Sequence, residues 1–307
     1  MRDTFISTLI SEARNNKNII LLTGDLGFGF IEQFANEFPD RFFNIGVAEQ
    51  NMMGIAAGLA SEGLHVFTYS IGNFSTWRCA EQIRNDIDYH KLNVTNVIVG
   101  GGVTYGNLGY SHHAIQDLSL MRSLPSMLIS TPIDPIEVKY CVKYFLKNPS
   151  PGYIRLGKSG EVNKQSKIKK IIPGVPNIIK KGFESKCIIC INHTIQIGEA
   201  LIKYETFKNY NLASLPLWSM KSKKNFANWS KKFDEIIIIE DHLEDGGLGS
   251  WALESIQNKK KTNSNKIITI SLSSDIIGDV GSENFLFKRN GLNIKKIIRN
   301  INRLRLS

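Results

Sequence analysis

The chain has 307 residues, 42% of them hydrophobic, and a formal charge of +10 from 38 Lys and Arg against 28 Asp and Glu, which is enough chain for two domains with a sizeable core. No stretch is long and apolar enough to span a bilayer, and Met1-Arg2-Asp3-Thr4 leads into an amphipathic helix without a signal-peptide core, so a soluble, cytoplasmic protein with no membrane contact is expected. The lysines are scattered through loops with no DNA- or RNA-binding motif beside them, which predicts a solvated basic surface and no nucleic-acid partner.

Residues 4–14 put Phe5, Ile6, Leu9, Ile10 and Ala13 on one helical face, and a strand over 19–23 runs into Gly24-Asp25-Leu26-Gly27. A short strand over 42–45 enters Gly46-Val47-Ala48-Glu49-Gln50-Asn51 and then a helix built from Met, Ala, Gly, Ile and Leu. Glu49 falls in the first turn of that helix, where the dipole favours a carboxylate. Strands over 66–69 and 94–99 bracket a helix over 76–89, which follows Asn73-Phe74-Ser75. The Gly-rich segment from Gly100 to His113 (GGGVTYGNLGYSHH) leads to another helix and a strand over 127–130. Thr131-Pro132-Ile133-Asp134-Pro135 then opens a helix reaching 147, and a strand over 153–156 closes the unit. Regular alternation of strand and helix predicts a parallel sheet covered by helices on both faces.

Residues 161–182, charged and carrying Pro173 and Pro176, read as a linker without sustained periodicity. A second unit follows, with strands over 187–191, 235–239 and 267–272 and helices over 194–204, 246–257 and 292–306, the last basic and amphipathic. The fold class is therefore α/β, with two consecutive parallel-sheet domains over residues 1–160 and 183–307. Cys187 and Cys190 have the two-residue gap of a redox or zinc motif. Ile188 and Ile189 between them are strand-formers, however, and no second ligand pair exists, so buried strand positions are expected.

The segments around Asp25, Glu49, the Gly-rich loop, Thr131-Pro132-x-Asp134 and Glu240-x-His242 with Gly246-Gly247-Leu248-Gly249-Ser250 resemble, in order and spacing, the transketolase family of thiamine-diphosphate-dependent enzymes. The likeness extends over nearly the whole chain. It implies a pyrimidine-binding domain followed by the family's C-terminal domain. It also implies that Glu49 faces N1′ of the cofactor's aminopyrimidine and shares a proton with it from a dry pocket. By the same likeness, Phe74 stacks on the pyrimidine, and Asp25 and Gly101 belong to cofactor-binding loops. His112 would contact the donor sugar as charge develops there, with His113 adding a polar contact. Arg2, Arg155 and Lys158 are the cationic candidates for a substrate phosphate.

Departures from the family pattern carry information too. Leu108 aligns where sugar-phosphate transketolases have an aspartate that reads a donor hydroxyl, and Gly100 and Gly29 align with phosphate-binding residues. Losing such anchors weakens a phosphate site, so an unusual sugar is expected: unphosphorylated, deoxygenated or nucleotide-linked. The Gly-Asp-Gly…Asn motif that holds Mg²⁺ and the diphosphate in this family is missing. The resemblance therefore implies the C-terminal half of a split enzyme. Such a half would be active only with a diphosphate-binding partner subunit that supplies the metal ligands, as an α₂β₂ heterotetramer. Two other readings stay open at this point. One is the β subunit of a 2-oxo-acid dehydrogenase or decarboxylase, and the other is a non-catalytic subunit that kept the fold.

Overall fold

The computed structural model describes residues 1–157, 168, 170–257 and 266–306. Its strands are β1 (Ile19–Thr23), β2 (Phe42–Asn44), β3 (His65–Ile71), β4 (Val94–Val99), β5 (Leu128–Ser130), β6 (Gly152–Leu156), β7 (Asn177–Lys180), β8 (Lys186–Cys190), β9 (Asn211–Ser214), β10 (Leu217–Trp218), β11 (Glu235–Leu243) and β12 (Lys266–Leu272). They form a seven-stranded sheet in the order β10-β5-β6-β4-β3-β1-β2 and a five-stranded sheet in the order β12-β11-β8-β9-β7. Pairing is parallel throughout except at one edge of each sheet, where β10 lies antiparallel to β5 and β7 antiparallel to β9.

The central strands explain the parallel architecture. β1, β4 and β6 are buried at every residue, as a sheet covered by helices on both faces requires. The helix Pro135–Lys147 shows how one cover is specified. Asp134 accepts a hydrogen bond from the Glu137 backbone N–H at 2.8 Å, and Pro135 occupies the first turn, where a missing N–H costs nothing. Val138, Cys141, Val142 and Phe145 then face inward at helical spacing. Phe145 fills the space over Gly152, where an added Cβ would sit 2.6 Å from its ring, so Phe145→Ala would cost about 3–5 kcal/mol.

Three sequence expectations are revised. The linker carries the strand β7, whose alternating exposure marks an edge too short for a periodicity signal. β10 was not expected; it follows Pro216 and pairs Leu217 with Ser130 and Trp218 with Ile129, so a strand from the second half of the chain completes the first sheet. The helix over 76–89 is broken into a 3-10 turn (Trp77–Cys79), one α turn and a π segment (Ile83–Asp88). At the end of the widened segment, buried Asp88 accepts from the Ser126 backbone N–H at 3.0 Å. Cys187 and Cys190 lie buried in β8, as the strand reading requires. No helix among the described residues is long and apolar enough to cross a membrane.

One apolar cluster runs from Leu22, Met52 and Ile98 through Trp218 and Trp251 to Ile189 and Ile238, and it binds the two sheets together. In the first sheet the chain leaves β1 for β2 on one side and returns to β3 on the other. The crevice outside the carboxyl ends of β1 and β3 is thus a topological switch point, the place where open α/β sheets admit ligands. The segments holding Asp25, Glu49, Phe74 and His112 follow β1, β2, β3 and β4 respectively.

Candidate active site

After β2 the chain turns through Gly46, which has a φ of +76°, and Glu49 becomes the first residue of the helix Glu49–Ser61. Met52, Met53, Ala56, Ala57 and Ala60 line its buried face. This small and pliant surface lets the helix seat closely on the sheet and draws Glu49 to 1% exposure. Gly24, at the end of β1, leaves the space beside it: a Cβ there would lie 3.7 Å from the Glu49 Cγ. A buried carboxylate without a partner would cost several kcal/mol. Here its Oε2 accepts from Nη1 of Arg78 at 2.7 Å, and Arg78 itself remains 48% exposed.

The same guanidinium lies 5.1 Å from the centroid of the Phe74 ring, in the range of a cation–π contact. Phe74 in turn meets the His112 imidazole edge-on, at 5.0 Å between centroids, and the Tyr105 ring stands 6.4 Å beyond. Glu49, Arg78, Phe74 and His112 therefore form one continuous cluster. The Cys79 thiol beside it is pushed up to about 12, by burial first and then by the Glu49 charge.

Loop-to-loop bonds fix this cluster. Asn73 Nδ2 donates to the Ser111 carbonyl at 2.9 Å, and the Ser111 hydroxyl lies 3.0 Å from His112 Nδ1, so the loop after β3 is tied to the one after β4. Asp25 sits exposed at the mouth with φ +56°. Its carboxylate accepts from Asn44 Nδ2 at 2.9 Å, and Asn44 Oδ1 accepts from the backbone N–H groups of Asp25 and Gly46. Asp25 is thereby tied to the turn that presents Glu49 without touching the carboxylate cluster. His113 is 1% exposed, and neither ring nitrogen has a hydrogen-bond partner among the described residues. Burial lowers its pKa.

Two candidates from sequence are displaced. Arg155 is fully buried. It donates through Nε to Asp117 at 2.8 Å, through Nη1 to Asp241 and to Asn192, and through Nη2 to the Ala114 carbonyl at 2.7 Å. The Tyr153 hydroxyl adds a 2.6 Å bond to Asp117. With its donors spent inside the protein, Arg155 joins the two sheets and has no face to offer a substrate. Gly101 is reassigned for the same reason: a Cβ there would stand 2.7 Å from Arg155, as one at Gly102 would stand 2.3 Å from the Asp241 carboxylate. At these positions the absent side chains make room for the clamp.

The Glu240-Asp241-His242 signature belongs to the same joint. Glu240 accepts from the backbone N–H groups of Leu248 and Gly249 at 2.6 and 2.9 Å, closing the N-terminus of the helix Leu248–Ile256, and burial pushes its pKa up to about 7. His242 faces Ser119 across the junction. Arg2 is part-buried, with its guanidinium 5.2 Å from the centroid of the Phe30 ring. Lys158 lies outside the described residues. Sequence reading missed Arg78. Its only signal was a basic residue one turn after Phe74, in a helix expected to be regular.

The family of transketolase pyrimidine-binding domains matches residues 1–160. A Methanocaldococcus jannaschii protein described as a transketolase C-terminal section is 34% identical, over 98% of this chain and 95% of its own length. One subunit of an apulose-4-phosphate transketolase from Phocaeicola vulgatus is 32% identical, over 83% of each chain. Among solved structures, a split-gene transketolase described as an inactive β4 tetramer superposes with a TM-score of 0.82 at 28% identity, over 98% of this chain and 96% of that one.

Proposed function

The chain belongs to the transketolase family as the C-terminal half of a split enzyme, and from that premise we propose that it is the β-type subunit of a transferase moving a two-carbon ketol unit from a ketose to an aldose-type acceptor. Residues 1–160 would be the pyrimidine-binding domain and 183–307 the C-terminal domain. The observation that carries this reading is the contact chain from buried Glu49 through Arg78 and Phe74 to His112 at the switch point. It also supplies a fit test for thiamine diphosphate. A flat, nitrogen-rich cation already lies against the Glu49 carboxylate and the Phe74 ring, so a pyrimidine of like shape and donor pattern suits the same pair.

When bound, the cofactor would supply the nucleophilic carbon that breaks and remakes the sugar's carbon–carbon bond. This chain contributes the surroundings. Glu49 holds or releases a proton at its carboxylate in a water-poor pocket, where small changes in charge count most. Phe74 gives an aromatic face and keeps that side dry. His112, fixed by Ser111, hydrogen-bonds the donor's carbonyl or hydroxyl, and His113 lies next to it in the loop. Of the cationic candidates, Arg2, part-buried beside Phe30, would be the described one left for an anionic group of the sugar, and Asp25 would line the mouth. The diphosphate and Mg²⁺ ligands belong to a partner subunit, in an α₂β₂ assembly. The solved relative that is inactive as a β4 tetramer supports the need for that partner.

Leu108, 57% exposed on the Gly-rich loop, offers no hydrogen bond where a polar group would read a hydroxyl. The donor is accordingly a non-standard ketose, and the relative named for apulose 4-phosphate supports that choice. A panel of ketoses given to the assembled enzyme tests it. Preference for a branched, deoxygenated or unphosphorylated ketose over xylulose 5-phosphate is expected, and efficient turnover of xylulose 5-phosphate alone would reject it.

A further inference from the structure

Arg78 has no assigned role, and three observations about it converge. Its Nη1 is 2.7 Å from Oε2 of Glu49, a carboxylate almost sealed from water. Its guanidinium lies over Phe74. Yet nearly half of its side chain is exposed, on a 3-10 turn that follows two local Thr76 hydroxyl bonds, to Gly72 at 2.7 Å and Asn73 at 3.4 Å. A guanidinium is planar, delocalised, positively charged and rich in N–H donors, and it stacks on aromatic faces. An aminopyrimidine that donates to a carboxylate and stacks on an aromatic ring has the same needs.

We propose that Arg78 is an internal placeholder for the cofactor's pyrimidine. It neutralises Glu49 and covers Phe74 while the site is empty, and it swings outward into solvent when the ring enters. The inference rests on the pyrimidine site proposed above and adds a residue that competes with the ligand for it. The physical logic is that of a closed state that must be left before binding. The apparent dissociation constant is the intrinsic one divided by the fraction of molecules with Arg78 already displaced. The contact also protects a subunit without cofactor, because an unpaired Glu49 would be a buried charge. The outward path is open because nearly half of the Arg78 side chain meets solvent, whereas the Glu49 end cannot move without unseating the helix Glu49–Ser61.

The test uses the heteromer assembled with its diphosphate-binding partner, titrated with thiamine diphosphate and Mg²⁺ and followed by calorimetry. Two variants are compared with the wild type. Arg78→Met keeps an unbranched stem against Phe74 and loses the donors, and Arg78→Lys keeps the charge and loses the planar stack. The expected result is an affinity about three- to tenfold tighter for Arg78→Met, from removal of the competing state, with Arg78→Lys between it and wild type. The association rate should rise, and the cofactor-free Met variant should melt at a lower temperature. An unchanged or weaker affinity in both variants overturns the placeholder and leaves the pyrimidine site standing. Wild-type heteromer that binds no cofactor, with Glu49→Gln equally silent, overturns the site and the placeholder together.

Discussion

Arg78 with Glu49 and Arg155 with Asp117 and Asp241 are the same chemical pairing in two different settings. The Arg155 clamp is sealed: every partner is buried, the guanidinium is bonded on three sides, and the glycines beside it leave just the room that the clamp fills. The Arg78 pair is sealed at one end only. Its carboxylate is fixed and its arginine half-exposed, so one partner can be exchanged and the other cannot. An ion pair is structural when neither member can reach water, and it is available to a ligand when one can.

Four outcomes bear on that contrast. The largest is kinetic. Glu49→Gln keeps the shape of the side chain and removes its proton exchange, so ketol transfer by the assembled enzyme should fall by about 10²–10⁴-fold. Stopped-flow assay of the variant checks this, alongside circular dichroism to show an unchanged fold. The next is thermodynamic. Arg155→Met strands two buried carboxylates and should cost about 3–5 kcal/mol in urea unfolding, with no direct effect on cofactor affinity in molecules that remain folded. Equal losses of affinity and stability would erase the distinction between the two regions.

The third outcome locates acid sensitivity in the first sheet. His65 is stacked on Phe67 and lies 3.1 Å from the Thr95 hydroxyl, and burial pushes its pKa down to about 3. The unfolded chain takes up this proton near pH 6.5 and the folded one does not. Its contribution is therefore intact above about pH 6.5 and is lost progressively as the pH falls towards 3, by about 2–3 kcal/mol at pH 4.5. His65→Gln should flatten the stability–pH curve between these limits, and a curve of unchanged slope would rule His65 out as the cause. The smallest outcome is the cost of Arg78→Met to the isolated chain, about 1–2 kcal/mol by thermal melt: the half-exposed arginine side lets water replace the guanidinium, so Glu49 incurs only part of the penalty of a sealed, unpaired charge. A cost as large as that of Arg155→Met would show that Arg78 is another clamp.

How much was legible in the sequence depends on the range of the interaction. The parallel sheets could be read because β1, β8 and β11 each hold an unbroken apolar run of four residues and β4 ends in one of three, and the Pro135–Lys147 helix because its cap and first-turn proline are local. β7 and β10 could not, because a short edge strand is defined by the neighbour it pairs with and not by its own pattern. Glu49, Phe74 and His112 were placed by resemblance, and the fold brings them to one crevice. Arg155 and Gly101 were placed by the same means and turn out to serve the joint between the sheets. Sequence shows that a charge and a glycine are present, but whether the space beside a glycine holds a ligand or an arginine from a distant strand is decided in three dimensions. Arg78 went unseen because the 3-10 turn that aims it at Glu49 interrupts the helix its sequence suggests.

The most direct test of the account is ketol transfer measured for this chain alone, for its diphosphate-binding partner alone, and for the mixture, with thiamine diphosphate, Mg²⁺ and the ketose panel in each. The account predicts turnover in the mixture only, abolished when the chain carries Glu49→Gln. Turnover by the isolated chain, or by a mixture indifferent to Glu49→Gln, would contradict it.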